Sequence, residues 1–409
     1  MVQKQGVHLA YSRLRMAHGF SPSAIKQSVS YAINKIMKVS VIGTGQTKFG
    51  ELWNKTLEDM SYEASMLAIK ESGLPKEKIE AVFVGNMLYG KLTGQDHLGA
   101  LVTSLLGLKV PATRIEAACA SGGMAIQAAV HALKSGAYKN VLVLGVEKMT
   151  DFSTSHISEA LMGAGSEMEK QAGLTFPALY ALMAKSHMQQ FGTTRAQLAS
   201  VSVKNHKHAS LNSYAQFPYE IDLQKALNAP FIAEPFTIFD SSPISDGAAA
   251  VVLSSENNGV EIIASQSSTD TVDLSQRNSF TEIEATKTAS QKAYQEAGIE
   301  PKDLDILEVH DCFTIAEIMA MEDLGLCKKG NGGQFIESGA TMLGGKTPVN
   351  TSGGLKACGH PVGATGVKQI IEITNQLNGT LGSRQIKNPK IGLAQNVGGT
   401  GATVAIHIL

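Results

Sequence analysis

No stretch of this 409-residue chain stays apolar for the ~18 residues that a membrane span needs. Net charge is almost absent: 35 Lys and Arg stand against 36 Asp and Glu, a formal −1. A chain so balanced has no global field to gather nucleic acid or an anionic membrane, although a local basic patch stays open. Cysteine is scarce. The four, at positions 119, 312, 327 and 358, form no Cys-x-x-Cys pair. Neither a zinc ribbon nor a disulfide framework is suggested, and free thiols in a reducing compartment are the better reading. Apolar residues make up 43% of the chain and charged ones 17%. That is not a disordered composition, and the length exceeds one ordinary domain.

Residues 1–36 lack Asp and Glu entirely while carrying Lys4, Arg13, Arg15, Lys26 and Lys35. They read as an organelle transit segment, as sequence upstream of a true start at Met37, or as an ordered arm on a partner subunit. The location expected is cytoplasmic, or the mitochondrial matrix if 1–36 is a transit segment. The terminal His407-Ile408-Leu409 is not a peroxisomal Ser-Lys-Leu signal.

From residue 37 onward, short β-branched or apolar runs alternate with helical patterns. Val82–Val84, Val141–Leu144, Ala250–Leu253, Ile306–Val309 and Thr403–Ile406 read as strands. Ile126, Ala129, Val130 and Leu133 fall at i, i+3, i+4 and i+7, so 121–134 reads as an amphipathic helix closed by Gly136. A second helix carries Val367, Ile370, Ile371 and Thr374 and closes at Asn378-Gly379. This is a layered α/β pattern. The chain also repeats itself. A shift of 225 superposes Ala64 on Ala289, Ser65 on Ser290, Ala68 on Ala293, Glu71 on Glu296 and Gly73 on Gly298. Helix, Gly stop, charged turn and strand therefore occur twice, which predicts a site between two halves. The stretch 150–240 has a different texture, rich in Ser, His, Gln, Asn and Met, with a cationic cluster at Lys204–His208. It reads as an insertion covering the site, a lid or a recognition subdomain. The divisions expected are 1–36, an N-terminal half of 37–149 with 241–265, the lid at 150–240, and a C-terminal half at 266–409.

Four segments carry chemistry. Cys119 stands just before the helix at 121–134, among Ala120, Ser121, Gly122 and Gly123. A helix N-terminus favours thiolate and would lower its pKa; the bland alternative is a buried cysteine in a tight turn. His310 and Cys312 follow the strand 306–309, where ligands of open α/β sheets bind. An imidazole and a thiol there can move protons near neutral pH, or the histidine can simply cap the strand end. Asn350–Gly366 is a glycine-rich loop in which Pro361 restrains His360, as a general base requires. It holds no Gly-Lys-Ser/Thr or Gly-x-Gly-x-x-Gly, so a nucleotide loop is not expected. Gln395–Gly401 offers glycine N–H groups to a developing oxyanion, or is an ordinary turn before the last strand.

Together these segments resemble the thiolase superfamily, over essentially 37–409. The nucleophile segment at Cys119, Gly359-His360-Pro361 and the C-terminal glycine turn carry the likeness. The chain lacks the Asn-Glu-x-Phe and Cys-x-Gly of common thiolases. It has His310-Asp311-Cys312-Phe313 and Asn396-Val397-Gly398 instead, which resembles the sterol carrier protein-linked thiolases; the segment Lys204–Phe217 also looks like that subgroup. The resemblance implies a duplicated, layered α-β-α-β-α fold with an inserted loop domain, and reversible CoA-dependent cleavage of 3-ketoacyl-CoA or condensation of acetyl-CoA. It implies Cys119 as acylated nucleophile, His360 as its base and Cys312 as acid/base at the substrate α-carbon. His310 would bind the thioester oxygen, and the N–H groups of Cys119 and about Gly398 would form a second oxyanion hole. No metal or redox cofactor is expected; CoA is a cosubstrate whose phosphates could meet Lys204 or Lys207. A homodimer or homotetramer is expected, with no fused lipid-carrier domain. Rival readings are a ketoacyl or hydroxymethylglutaryl synthase, a silent CoA-binding relative, and a cysteine hydrolase.

Overall fold

The alternation in the sequence resolves into two sheets in a computed structural model that describes residues 38–409. The readings offered for 1–36 lie outside the described residues. The strands are β1 (Ser40–Gln46), β2 (Ala81–Gly85), β3 (Ala112–Ile115), β4 (Asn140–Glu147), β5 (Phe231–Ala233), β6 (Phe236–Thr237), β7 (Gly247–Ser254), β8 (Val260–Glu261), β9 (Ala264–Thr269), β10 (Ile306–Glu308), β11 (Gly392–Gly398) and β12 (Thr403–Ile408). One sheet runs β3-β2-β4-β7-β1-β8 and the other β10-β11-β12-β9; β5 and β6 form a small hairpin. Every residue of β4, β7 and β11 is buried. That is why the apolar runs of β4 and β7 are continuous and do not alternate.

The helices that matter here are α1 (Leu57–Ser72), α2 (Ser121–Lys134), α3 (Phe176–Phe191), α4 (Arg195–Ala209), α5 (Glu284–Ala297), α6 (Thr314–Asp323) and α7 (Val362–Asn378). The repeat seen in the sequence is a repeat in space. A capping box of Thr56 and Asp59 starts α1, and Gly73 ends it at φ 68°. Gly298 ends α5 at φ 70°. A 3₁₀ turn follows each helix, at Lys76–Lys78 and Pro301–Asp303, and then β2 and β10. Both strands pair in parallel with the next long strand, β4 or β11. That strand pairs antiparallel with β7 or β12, which pairs antiparallel with β1 or β9.

α1 covers one sheet, where Leu57, Met60, Ala64 and Ala68 pack on Val82, Val84, Leu142 and Leu144. α5 covers β9 and β12 of the other, and α2 and α7 lie between the sheets. This is the layered α-β-α-β-α order. The middle helices cross very closely. A Cβ on Gly366 would sit 2.2 Å from the Gly123 nitrogen, and one on Gly122 2.7 Å from the Gly363 oxygen. Only glycine permits this approach, which brings the N-terminal ends of α2 and α7 together.

Some local expectations shift. Gln395–Gly398 were read as part of a turn but lie inside β11, so the turn begins at Gly399. Among the described residues, no helix is long and apolar enough to cross a membrane.

Candidate active site

Cys119 sits in the turn that feeds α2. The Ser121 hydroxyl accepts from the Ala117 N–H at 2.9 Å and donates to the Ala118 carbonyl at 2.6 Å. This clamp holds Ala118 at φ 53°, which is rare for a residue with a side chain. The strain of such a conformation is of order 1–3 kcal/mol. His360 comes from the other side of the middle layer, just ahead of α7. Its backbone N–H donates to Ser245 Oγ at 2.9 Å. His310 follows β10. The Cys119 sulfur and a nitrogen of each imidazole all lie within 4.8 Å of one another. The two rings stand edge-on, 84° apart, with centres 5.0 Å apart.

Hydrogen bonds assign opposite protons to the two rings. Thr365 donates to the Pro361 carbonyl at 3.1 Å, so its oxygen accepts from His360 Nδ1–H at 2.7 Å. The His360 Nε2 lone pair is then free, and that atom has no partner. Asn396 Oδ1 accepts from the Gly123 N–H at 3.0 Å, which fixes the amide. Its Nδ2 donates to the Cys119 carbonyl at 2.9 Å and to His310 Nδ1 at 3.2 Å. The proton of His310 must therefore sit on Nε2, which is also buried and unpartnered. One imidazole offers a lone pair and the other an N–H. The three groups are close enough to suggest a metal cage, but His310 has no free lone pair to give one.

Burial keeps all three neutral. It pushes the Cys119 thiol up to about 12, against the opposing pull of the Gly399 N–H. The expected depression by the helix terminus is thus outweighed by desolvation. Burial, with Lys368, lowers His360 to about 3. Burial, with His360, pulls His310 well below its ordinary value. The resting site holds a thiol and two neutral imidazoles.

Cys312 shares a cavity of about 670 Å³ with Cys119, His360, Tyr180 and Gly399. Burial pushes its thiol up, and the Tyr180 hydroxyl beside it acts the other way. Tyr180, on α3, donates to the Gly399 carbonyl at 3.0 Å and stacks on Phe313 with ring centres 4.7 Å apart. It reaches the site from the inserted segment, in which sequence reasoning named no residue that touches the reacting groups. Asp311, between His310 and Cys312, accepts from the Leu355 N–H at 2.6 Å and the Lys356 N–H at 3.2 Å. It ties the loop after β10 to the loop carrying His360. Burial and nearby Glu317 raise its pKa.

Two site expectations need correction. Gly398 closes β11 and pairs with Thr403; it is Gly399 that lines the cavity and turns its N–H on the Cys119 sulfur. Lys204 is buried and paired with Glu317 at 2.8 Å, with further bonds to Asn205 Oδ1 and the Val349 carbonyl. It has no donor left for a phosphate. Lys207 lies on the exposed face of α4, outside the cavity, and its contact with the CoA phosphates stays a proposal. The lysine that does is Lys356.

Comparisons with known proteins identify the family and the fold. The family described as Thiolase, N-terminal domain matches residues 39–257, and Thiolase C-terminal domain-like matches 266–409. The chain is 46% identical to an acetyl-CoA acetyltransferase of Methanothermobacter thermautotrophicus, over 90% of this chain and 98% of that one. It is 33% identical to sterol carrier protein 2 of Bos taurus, over 90% of this chain and 71% of the relative. The fold is shared with the solved Ltp2-ChsH2(DUF35) aldolase at a TM-score of 0.79 and 22% identity, covering 91% of this chain and 97% of that one.

Proposed function

The chain belongs to the thiolase family and is an acyltransferase of that type, and from this premise we propose how its residues divide the reaction. Cys119 attacks the 3-keto carbon of a 3-ketoacyl-CoA while its proton passes to His360 Nε2. The N–H groups of Cys119 and Gly399 hold the oxyanion that forms. The bond between C2 and C3 then breaks, and its electron pair moves onto C2 as the enolate of acetyl-CoA. His310 Nε2–H holds the enolate oxygen, and the Cys312 thiol delivers a proton to C2. Acetyl-CoA leaves. The proton on His360 passes to the Cys312 thiolate. A CoA thiol then gives its proton to His360 Nε2 as its sulfur takes the acyl group from Cys119, and His360 hands that proton to the departing Cys119 sulfur. Condensation of two acetyl-CoA runs the same steps backward.

The reading is supported above all by one observation: the Cys119 sulfur and a nitrogen of each imidazole lie within 4.8 Å of one another, and Cys119 and His360 line one cavity with Cys312. Neutral groups at rest suit the scheme, because charge then appears only as the thiolate attacks. Loss of one oxyanion donor typically lowers rate ~10²–10³-fold.

The test separates the two thiols. Cys312→Ala should still exchange acetyl groups between acetyl-CoA and free CoA, and acetyl-Cys119 should be seen by mass spectrometry. Thiolysis of acetoacetyl-CoA should be lost. Full thiolysis by that variant would remove Cys312 from the mechanism, and no exchange would remove the assignment to Cys119.

The finer assignments rest on the same reading. The halves 37–149 with 241–265 and 266–409, with the segment 150–240 over the site, are the divisions proposed; one sheet falls within 40–261 and the other within 264–408. A homo-oligomeric, cytoplasmic enzyme of lipid metabolism is the setting proposed, in keeping with the archaeal relative.

A further inference from the structure

Four lysines are buried among the described residues: Lys148, Lys204, Lys356 and Lys368. Three of them hold a carboxylate, with Lys148 on Asp246 at 2.6 Å, Lys204 on Glu317 at 2.8 Å and Lys368 on Glu308 at 3.0 Å. Lys356 does not. Its side chain is only 2% exposed. Its Nζ rests on the faces of Phe217 and Phe239, 5.8 and 5.7 Å from the ring centres. Among the described residues no oxygen comes within bonding range of it. Asp240 and Asp311 act on it only at a distance. Their oxygens are already engaged, by Thr237 and Thr314 in one case and by Asn205, Leu355 and the Lys356 backbone in the other. An ammonium set on aromatic faces with no anion beside it lacks the charge compensation that the other three lysines have. Burial lowers its pKa only to about 8, so the charge persists at neutral pH.

The unpaired ammonium faces the reaction cavity, where Phe217 and Phe239 lie beside it and the wider lining includes Gln216, Ser242 and Glu51. We propose that Lys356 receives a carboxylate on the acyl part of the substrate, so that 3-ketoacyl-CoA thioesters whose chain ends in a carboxylate are the preferred class. This rests on the thiolase reading and specifies its substrate. A neutral thioester or amide oxygen would leave the charge uncompensated, whereas a carboxylate cancels it. The phosphates of CoA are not the match. Lys356 is rooted beside the reacting groups, with its N–H on Asp311 and only four residues before His360. Those phosphates are separated from the CoA sulfur by the whole pantetheine arm, which is longer than a lysine side chain can reach back.

Thiolysis of 3-oxoadipyl-CoA and 3-oxohexanoyl-CoA, which share a six-carbon chain, reads the proposal. The wild type should favour the carboxylated substrate by tenfold or more in kcat/KM, and Lys356→Met should erase or reverse that ratio. A wild type that favours the methyl-ended substrate overturns the proposal, as does a variant that keeps the wild-type ratio. Calorimetric binding of adipyl-CoA and hexanoyl-CoA to the wild type needs neither turnover nor a folded variant. Tighter adipyl-CoA supports the assignment even if neither ketoacyl substrate is cleaved, a result that would count against the thiolase reading alone. Equal affinities, or tighter hexanoyl-CoA, overturn it.

Discussion

Shifted by 225 residues, β2 starts where β10 starts, and beyond them Asn86 meets Asp311 and Met87 meets Cys312. Strand registers then set Glu147, the last residue of β4, on Gly398, the last of β11. In the first copy Glu147 closes everything. Its carboxylate accepts from Asn86 Nδ2 at 2.8 Å, from the N–H groups of Met87 and Leu88 at 3.0 Å each, and from Gly363 at 3.1 Å. In the second copy a glycine stands where that carboxylate would be. His360 and Gly399 beside it line a cavity, and the Nε2 atoms of His310 and His360 are left without a partner. The same architecture makes a sealed strand end in one half and a reactive one in the other. The difference lies in whether a carboxylate occupies one position.

That contrast can be broken on its open side first. Asn396→Asp replaces the amide that donates to His310 Nδ1 by a group that can only accept. The His310 proton should move to Nδ1 and Nε2 should lose its N–H. We expect kcat to fall ~10²–10³-fold with KM little changed, the usual consequence of losing one oxyanion donor. Steady-state kinetics on acetoacetyl-CoA checks this. A fall in KM affinity alone would mean that Asn396 only shapes the pocket.

On the closed side the expected effect is on stability. Glu147→Gln turns one acceptor oxygen into an amino group facing N–H donors, and leaving buried donors unsatisfied costs about 1–3 kcal/mol each. Urea unfolding at pH 8 should show a loss in that range. Burial also raises the Glu147 pKa from 4.5 to about 7, partly offset by those N–H bonds. The folded state therefore holds this proton more tightly than the unfolded chain. Its stabilisation is full below 4.5 and is lost as pH rises through 7. The variant should lack that slope.

Much of the open side was legible in the sequence. Cys119, His310, Cys312 and His360 each stand beside glycines or at a strand end, where reactive side chains leave a recognisable pattern. The repeated unit was legible too, because Gly73 and Gly298 end equivalent helices with positive φ. What was missed depends on three-dimensional partners. Lys204 looked like part of a cationic run. On a helix, however, Lys204, Asn205 and His208 turn inward while Lys207 turns out, so a cluster along the chain is not one in space. The wrong glycine was chosen because β11 continues one residue further than its glycines suggest. Tyr180 and Lys356 carry no local signal at all: one is a helical tyrosine in the inserted segment, the other a lysine whose missing partner shows only once the cavity is seen.

The central claim is that two neutral imidazoles of the open copy, with opposite protons, stand beside the Cys119 thiol of the other copy. Nitrogen-15 NMR of histidine-labelled protein at pH 7 tests it most directly, with His310→Asn and His360→Asn used to assign the two rings. We expect His360 to show a protonated, pyrrole-type Nδ1 and a bare, pyridine-type Nε2, and His310 to show the reverse. The same tautomer in both rings, or an imidazolium in either, would contradict it.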